Sequence, residues 1–250
     1  MRKLAELQRH EANAHIVHYS CEDFDERVDG SSPRITSLAI RNVDTERTRS
    51  FSIHQLAERH GVALGDIASH YDKLEKLMLD EFYEFVRNHQ NDRWVHWNMR
   101  DTKFGFPAIE HRYRVLGGAP TEIDDSRKYN LASLLIDLFS PTYVKNPRLT
   151  ELMKLNKISE RDFLPGDAEA AAFANGEFVK LHHSTLRKVD NIANIYERTV
   201  NGTLKTNARC RDVYGGVLPY LVGHVQEHWG WVIFTLVAGI ASIVSLWMTL

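Results

Sequence analysis

Only two cysteines stand in 250 residues, Cys21 and Cys210, and their separation suggests neither a disulfide framework nor a cysteine-rich zinc cluster. Such scarcity fits a reducing, cytosolic setting. Excess charge of one sign is also missing. A net charge of −2 argues against a highly basic nucleic-acid-coating protein, although 31 Lys and Arg leave room for a local basic patch. The opening residues, MRKLAELQRHEANAH, are charged and have no apolar run behind them, so no secretory signal is expected there. Internal repeats, low-complexity tracts, a conventional catalytic triad and a phosphate-cradling glycine loop are all lacking, and GGAP reads as a turn.

Long apolar runs are lacking everywhere but one place. From Trp229 to Leu250 the segment WGWVIFTLVAGIASIVSLWMTL holds no charged residue. A hydrocarbon core needs about 20 apolar helical residues, so this segment is expected to span a membrane. Trp229 and Trp231 at one end and Trp247 at the other suit interfacial anchoring. Lys205, Arg209 and Arg211 precede the span and no charge follows it, which agrees with a single-pass, tail-anchored protein whose soluble part is cytoplasmic. Gly239, with Ala238, Ala241 and Ser242, would permit helix–helix contact between copies in a homo-oligomer.

The rest has ordinary composition for a folded domain, with 43% apolar and 26% charged residues. AHIVHYSC, from residue 14, reads as a buried strand ending in an acidic loop with turn chemistry at Asp29-Gly30 and Pro33. RITSLAIRNV and TRSFSI read as two strands joined by DTER. From Asp66 to His89 the period becomes helical, with Ile67, Tyr71, Leu74, Met78, Phe82 and Phe85 on one face. RWVHW is a short strand, and a helix beginning at Thr102 or Phe106 is expected to stop at Gly117-Gly118. NLASLLIDLF, RLTELMKL and STLRKVDNIANIYERT are further amphipathic helices, while 159–181 mixes loop with a short helix. Strands first and helices later indicate one mixed α/β domain. The expected divisions are an N-terminal extension (1–13), that domain (14–200), a juxtamembrane linker (201–228) and a transmembrane helix (229–250).

The order strand, strand, strand, helix, strand, helix, together with HYSCED, HWNMRDTKF and HHSTLRKVDNIANIY, resembles the RNase H-like fold of the DEDD-type 3′–5′ exonucleases. That resemblance implies an α/β fold, an RNase H-like mixed sheet flanked by helices, and a carboxylate cluster holding two Mg²⁺ or Mn²⁺ ions. Glu22, Asp101 and Asp190 fall where three of its four metal-binding carboxylates belong, and Ser20 replaces the fourth. Asp101 would serve equally well as a helix N-cap. Thr185 stands where the family has its base, and His182 or His183, just upstream, could substitute for it. The histidines read equally as surface residues in a chain with 13 of them. Asn98 and Arg100 would lie nearest a phosphate or nucleobase, and Arg187 and Lys188 would offer cations to a phosphate backbone, unless they form a solvated helix face.

Two classes of function follow from this resemblance. One is a membrane-anchored nuclease hydrolysing phosphodiesters in DNA or RNA. The other is a catalytically inactive module of the same fold, or a membrane effector of the kind used in phage defence, working through its tail. Ser20 favours the second class, because a hydroxyl is a poor ligand for a hard cation. The spacing around Asp101 favours the first.

Overall fold

Alternating side chains give the first strand, β1 (Ala14–Cys21), two different faces. Val17, Tyr19 and Cys21 enter the main apolar core, whereas Ser20 meets polar groups of the last long helix. The computed structural model describes residues 2–22, 32–100 and 103–208. Contacts divide the chain into two units, 1–134 with 146–205, and 135–145 with 206–250.

The first unit is α/β, with a five-stranded mixed sheet flanked by helices. β1 pairs antiparallel with β2 (Ile35–Asn42), which pairs antiparallel with β3 (Thr48–Ser52). On its other side β1 runs parallel to β4 (Arg93–His96), which runs parallel to β5 (Lys128–Asn130). The spatial order is therefore β3-β2-β1-β4-β5. Ser20 lies opposite Ser37, and the register shifts between Ser20 and Cys21 just before the strand ends.

One face of the sheet packs against α3 (Tyr71–Asn88), which buries Tyr71, Leu74, Met78, Phe82 and Val86 at helical spacing. Its neighbour α4 (Phe106–Val115) admits Pro107 in the first turn, where no backbone N–H is needed. Gly117 follows with φ +77°, a conformation that favours glycine and closes the helix. Arg112 of α4 reaches fully buried Glu75 of α3 through Nε at 3.0 Å, and the Ile35 amide donates to the same carboxylate at 2.7 Å. Burial pushes the Glu75 pKa up and the Arg112 charge opposes that rise.

Against the other face lies α8 (Phe178–Val200), whose buried residues include Thr185, Lys188, Val189, Ile192 and Tyr196. It begins six residues before STLRKVD, so His182 and His183 belong to its first turns. α7 (Gly166–Ala174) is the short helix within the irregular stretch, and α6 (Arg148–Asn156) precedes it. Three further elements lie where the sequence reading expects none: α1 (Arg2–Arg9), α2 (Ile53–Arg59) and β5. α5 spans Leu131–Phe139. In the second unit, the Asn207 amide donates to the Tyr143 carbonyl at 2.7 Å. Among the described residues no helix is long and apolar enough to cross a membrane, and the expected span 229–250 lies outside them.

Candidate functional site

The carboxyl end of β1 gathers a chain of buried polar groups, starting from the Ser20–Ser37 pair across the sheet. Ser37 Oγ lies 2.6 Å from Thr185 Oγ1, which lies 2.8 Å from Ser20 Oγ. Ser20 in turn donates to Glu169 Oε1 at 2.8 Å, and Ser184 donates to the same oxygen at 2.9 Å. The other carboxylate oxygen meets Lys188 Nζ at 2.6 Å, with the two side chains only 12% and 9% exposed. Lys188 also lies over the Phe163 ring, 5.5 Å from its centroid.

Local sequence explains this convergence. Thr185 and Lys188 are three residues apart and so share the face of α8 that meets the sheet. Glu169 sits in the first turn of α7, where a carboxylate suits the helix dipole, and an alanine-rich helix gives it few competitors. The hydroxyls of Ser20, Ser37, Ser184 and Thr185 thereby all gain partners, as buried polar groups require. The enclosed charges also act on their neighbours. Burial, followed by the Lys188 charge, holds the His18 pKa well below its ordinary value. Burial, followed by the Glu169 charge, pushes the Cys21 thiol far up, so Cys21 is a core residue and no nucleophile.

Glu22 lies just past β1 and is held by Arg34, with Nε to Oε2 at 3.1 Å and Nη2 to Oε1 at 3.0 Å. This two-pronged pairing fixes the carboxylate and neutralises it. Arg34 is itself backed by the Tyr71 and Phe173 rings, at 5.0 and 5.1 Å. Asp190 is 44% exposed and faces Arg41 Nη1 at 3.4 Å. Arg41 pairs with Ile16 in the sheet register, six residues from Glu22 along β1, a strand length of about 20 Å. Glu22 and Asp190 thus serve different arginines toward opposite ends of the strand. Asp101 lies outside the described residues.

Residues that follow Asp101 in sequence are tied to β1. Phe104 stacks on Tyr19 with centroids 4.6 Å apart, and the Gly105 amide donates to the Tyr19 hydroxyl at 2.9 Å. Arg100 pairs through its backbone with Gly105 and its side chain is exposed. Asn98 adopts φ 55°, which asparagine tolerates, and its side-chain oxygen accepts from Asn130 Nδ2 at 3.3 Å. Buried His96 accepts from the Met99 amide at 3.1 Å, and its pKa falls to about 4 through burial and the charges of Lys128 and Arg100.

The two α8 histidines differ. His182 is buried against His54, with ring centroids 5.1 Å apart. Burial and the neighbouring histidines lower its pKa to about 4. That makes it neutral but a weak proton acceptor at pH 7. His183 is exposed and lines a cavity of about 580 Å³ with Leu64, Leu164, Phe178 and Val179. Arg187 is half-buried and its Nε has no hydrogen-bond partner. Lys188, placed in sequence as a cation for phosphate, instead neutralises Glu169 inside the protein.

The described donors at this end of the sheet do not suit a pair of Mg²⁺ or Mn²⁺ ions. Hard cations need several oxygen ligands, and the two described carboxylates here, Glu22 and Glu169, are each paired with a basic side chain. Among the described residues no three carboxylates or imidazoles at this end offer ligand atoms close enough to share an ion. Glu169 and Ser184 were not legible as site residues, whereas Thr185 stands at the position where the resemblance puts a base. The one hint was Ser20, whose hydroxyl at a buried strand end required a partner. No protein-family model matches the chain, and no curated protein matches it either.

Proposed function

We propose that this chain is a non-hydrolytic domain of the RNase H-like, DEDD exonuclease type, anchored to a membrane by 229–250, that binds single-stranded nucleic acid without cutting it. The buried Lys188–Glu169 pair beside Ser20 carries this reading. An ammonium ion is enclosed at the strand end where the related enzymes would hold metal. The element order, with β4 parallel to β1 and helices on both faces, supports the fold assignment. Exposed Arg100 and Asn98, just beyond β4, support contact with phosphate or base, while the anchor rests on the sequence alone.

The test uses the full chain in mild detergent with labelled single-stranded DNA and RNA. The expected result is salt-sensitive binding, weakened several-fold by Arg100→Ala, with no strand shortening in Mn²⁺. Absence of binding even at low salt refutes the nucleic-acid reading. Strand shortening that is lost in Glu22→Gln refutes the non-hydrolytic one.

A further inference from the structure

At the opposite end of β1, His15 points into the core face beside the turn that links α3 to β4. His89 closes α3, and the Asp92 amide bonds back to the His89 carbonyl at 2.9 Å, so one turn presents both side chains. His15 Nε2 lies 2.9 Å from Asp92 Oδ2. A nitrogen from each histidine and an Asp92 oxygen all lie within 4.8 Å of one another.

From this we propose that His15, His89 and Asp92 form a binding site for a late first-row dication of the Zn²⁺ class, separate from the polar cluster at the strand's carboxyl end. Two imidazoles and one carboxylate are a donor set that suits Zn²⁺, leaving a fourth position for water. Donors on one tetrahedral ion lie about 3.4 Å apart, given bonds of about 2.0–2.1 Å. The separations here need closing by at most about 1.4 Å, within reach of side-chain rotation in a turn.

The surroundings favour the ion as well. His89 Nδ1 donates to the Phe85 carbonyl at 2.8 Å, which fixes the ring and leaves the Nε2 lone pair free for a metal. His15 is 95% buried by its 5% exposure, and its Nδ1 has no hydrogen-bond partner. Phe85 stacks on His89 at 4.0 Å and meets the His15 ring edge-on at 5.6 Å, with Trp94 at 5.5 Å. This aromatic wall keeps water from one side, while half-buried His89 and Asp92 leave a path from solvent. A bound ion would pin the α3–β4 turn to β1.

Metal-stripped full chain in detergent is titrated with Zn²⁺ by calorimetry and with Co²⁺ by visible absorption. The expected result is one tight ion per chain, with Co²⁺ bands of tetrahedral type. Affinity should fall at least about tenfold in His89→Ala and Asp92→Ala, and remain unchanged in Glu151→Gln, on the surface of α6. No uptake at micromolar metal, or uptake unaffected by both alanine variants, overturns the proposal. Should a variant fail to fold, the wild-type Co²⁺ spectrum decides: octahedral, weak bands overturn it.

Discussion

Glu169 and Lys188 offer the sharpest test of how the strand end is built. Glu169→Gln keeps the side chain's shape and its acceptor for Ser20 and Ser184, but leaves the Lys188 ammonium buried without a counter-charge. Removing one member of a buried pair costs about 3–5 kcal/mol. Lys188→Met strands the carboxylate instead, and the two hydroxyl donors soften that cost to about 2–3 kcal/mol. The double variant removes both charges and should cost no more than about 1 kcal/mol. A cycle built from urea unfolding of the four proteins should therefore give a coupling of roughly 4–8 kcal/mol. In a domain of this size, the Glu169→Gln loss lowers the melting temperature by roughly 6–20 °C. Single variants within about 0.5 kcal/mol of wild type, or costs that simply add, would refute an enclosed ion pair.

Further perturbations test other parts of the structure. His96 and His182 have folded-state pKa values near 4, below the unfolded value of about 6.5. The unfolded chain therefore takes up protons first, and stability is complete above about pH 6.5 and lost as pH falls toward 4. Each contributes up to about 2 kcal/mol of loss at pH 5, and His96→Gln should flatten the pH dependence measured by urea unfolding. Cys21, studied in a Cys210→Ser background, should resist alkylation at pH 8 until the protein is unfolded; fast labelling of the native chain contradicts its placement in the core. Glu75→Leu leaves Arg112 buried beside an apolar chain and should cost about 3–5 kcal/mol in the same unfolding assay, with Glu75→Leu/Arg112→Leu recovering most of it.

The strands with clear alternation were legible, as was α3 from its period of three and four. β5 was not, because three residues, Lys128 to Asn130, are too few to show a period. α2 was hidden because SFSI continues the β-branched and aromatic character of β3 into Ile53, which the structure makes the first helical residue. In α8 the apolar stripe was visible from Leu186 onward, but the polar residues that precede it also face the protein. Lys188 shows the reason the site was harder to read than the fold. Its charge suggested solvent, and only the arrival of Glu169 from another helix makes its burial tolerable. Likewise Ser20 and Glu169 are 149 residues apart, and no local pattern links them.

On the proposed non-hydrolytic reading, the Lys188 ammonium, rather than divalent metal, neutralises Glu169 at the carboxyl end of β1. Anomalous diffraction from crystals soaked in MnCl₂ tests it directly. The expected map has no manganese peak bonded to Glu22 or Glu169, with Lys188 still on the Glu169 carboxylate. A peak within bonding distance of either carboxylate, with Lys188 displaced, would contradict it.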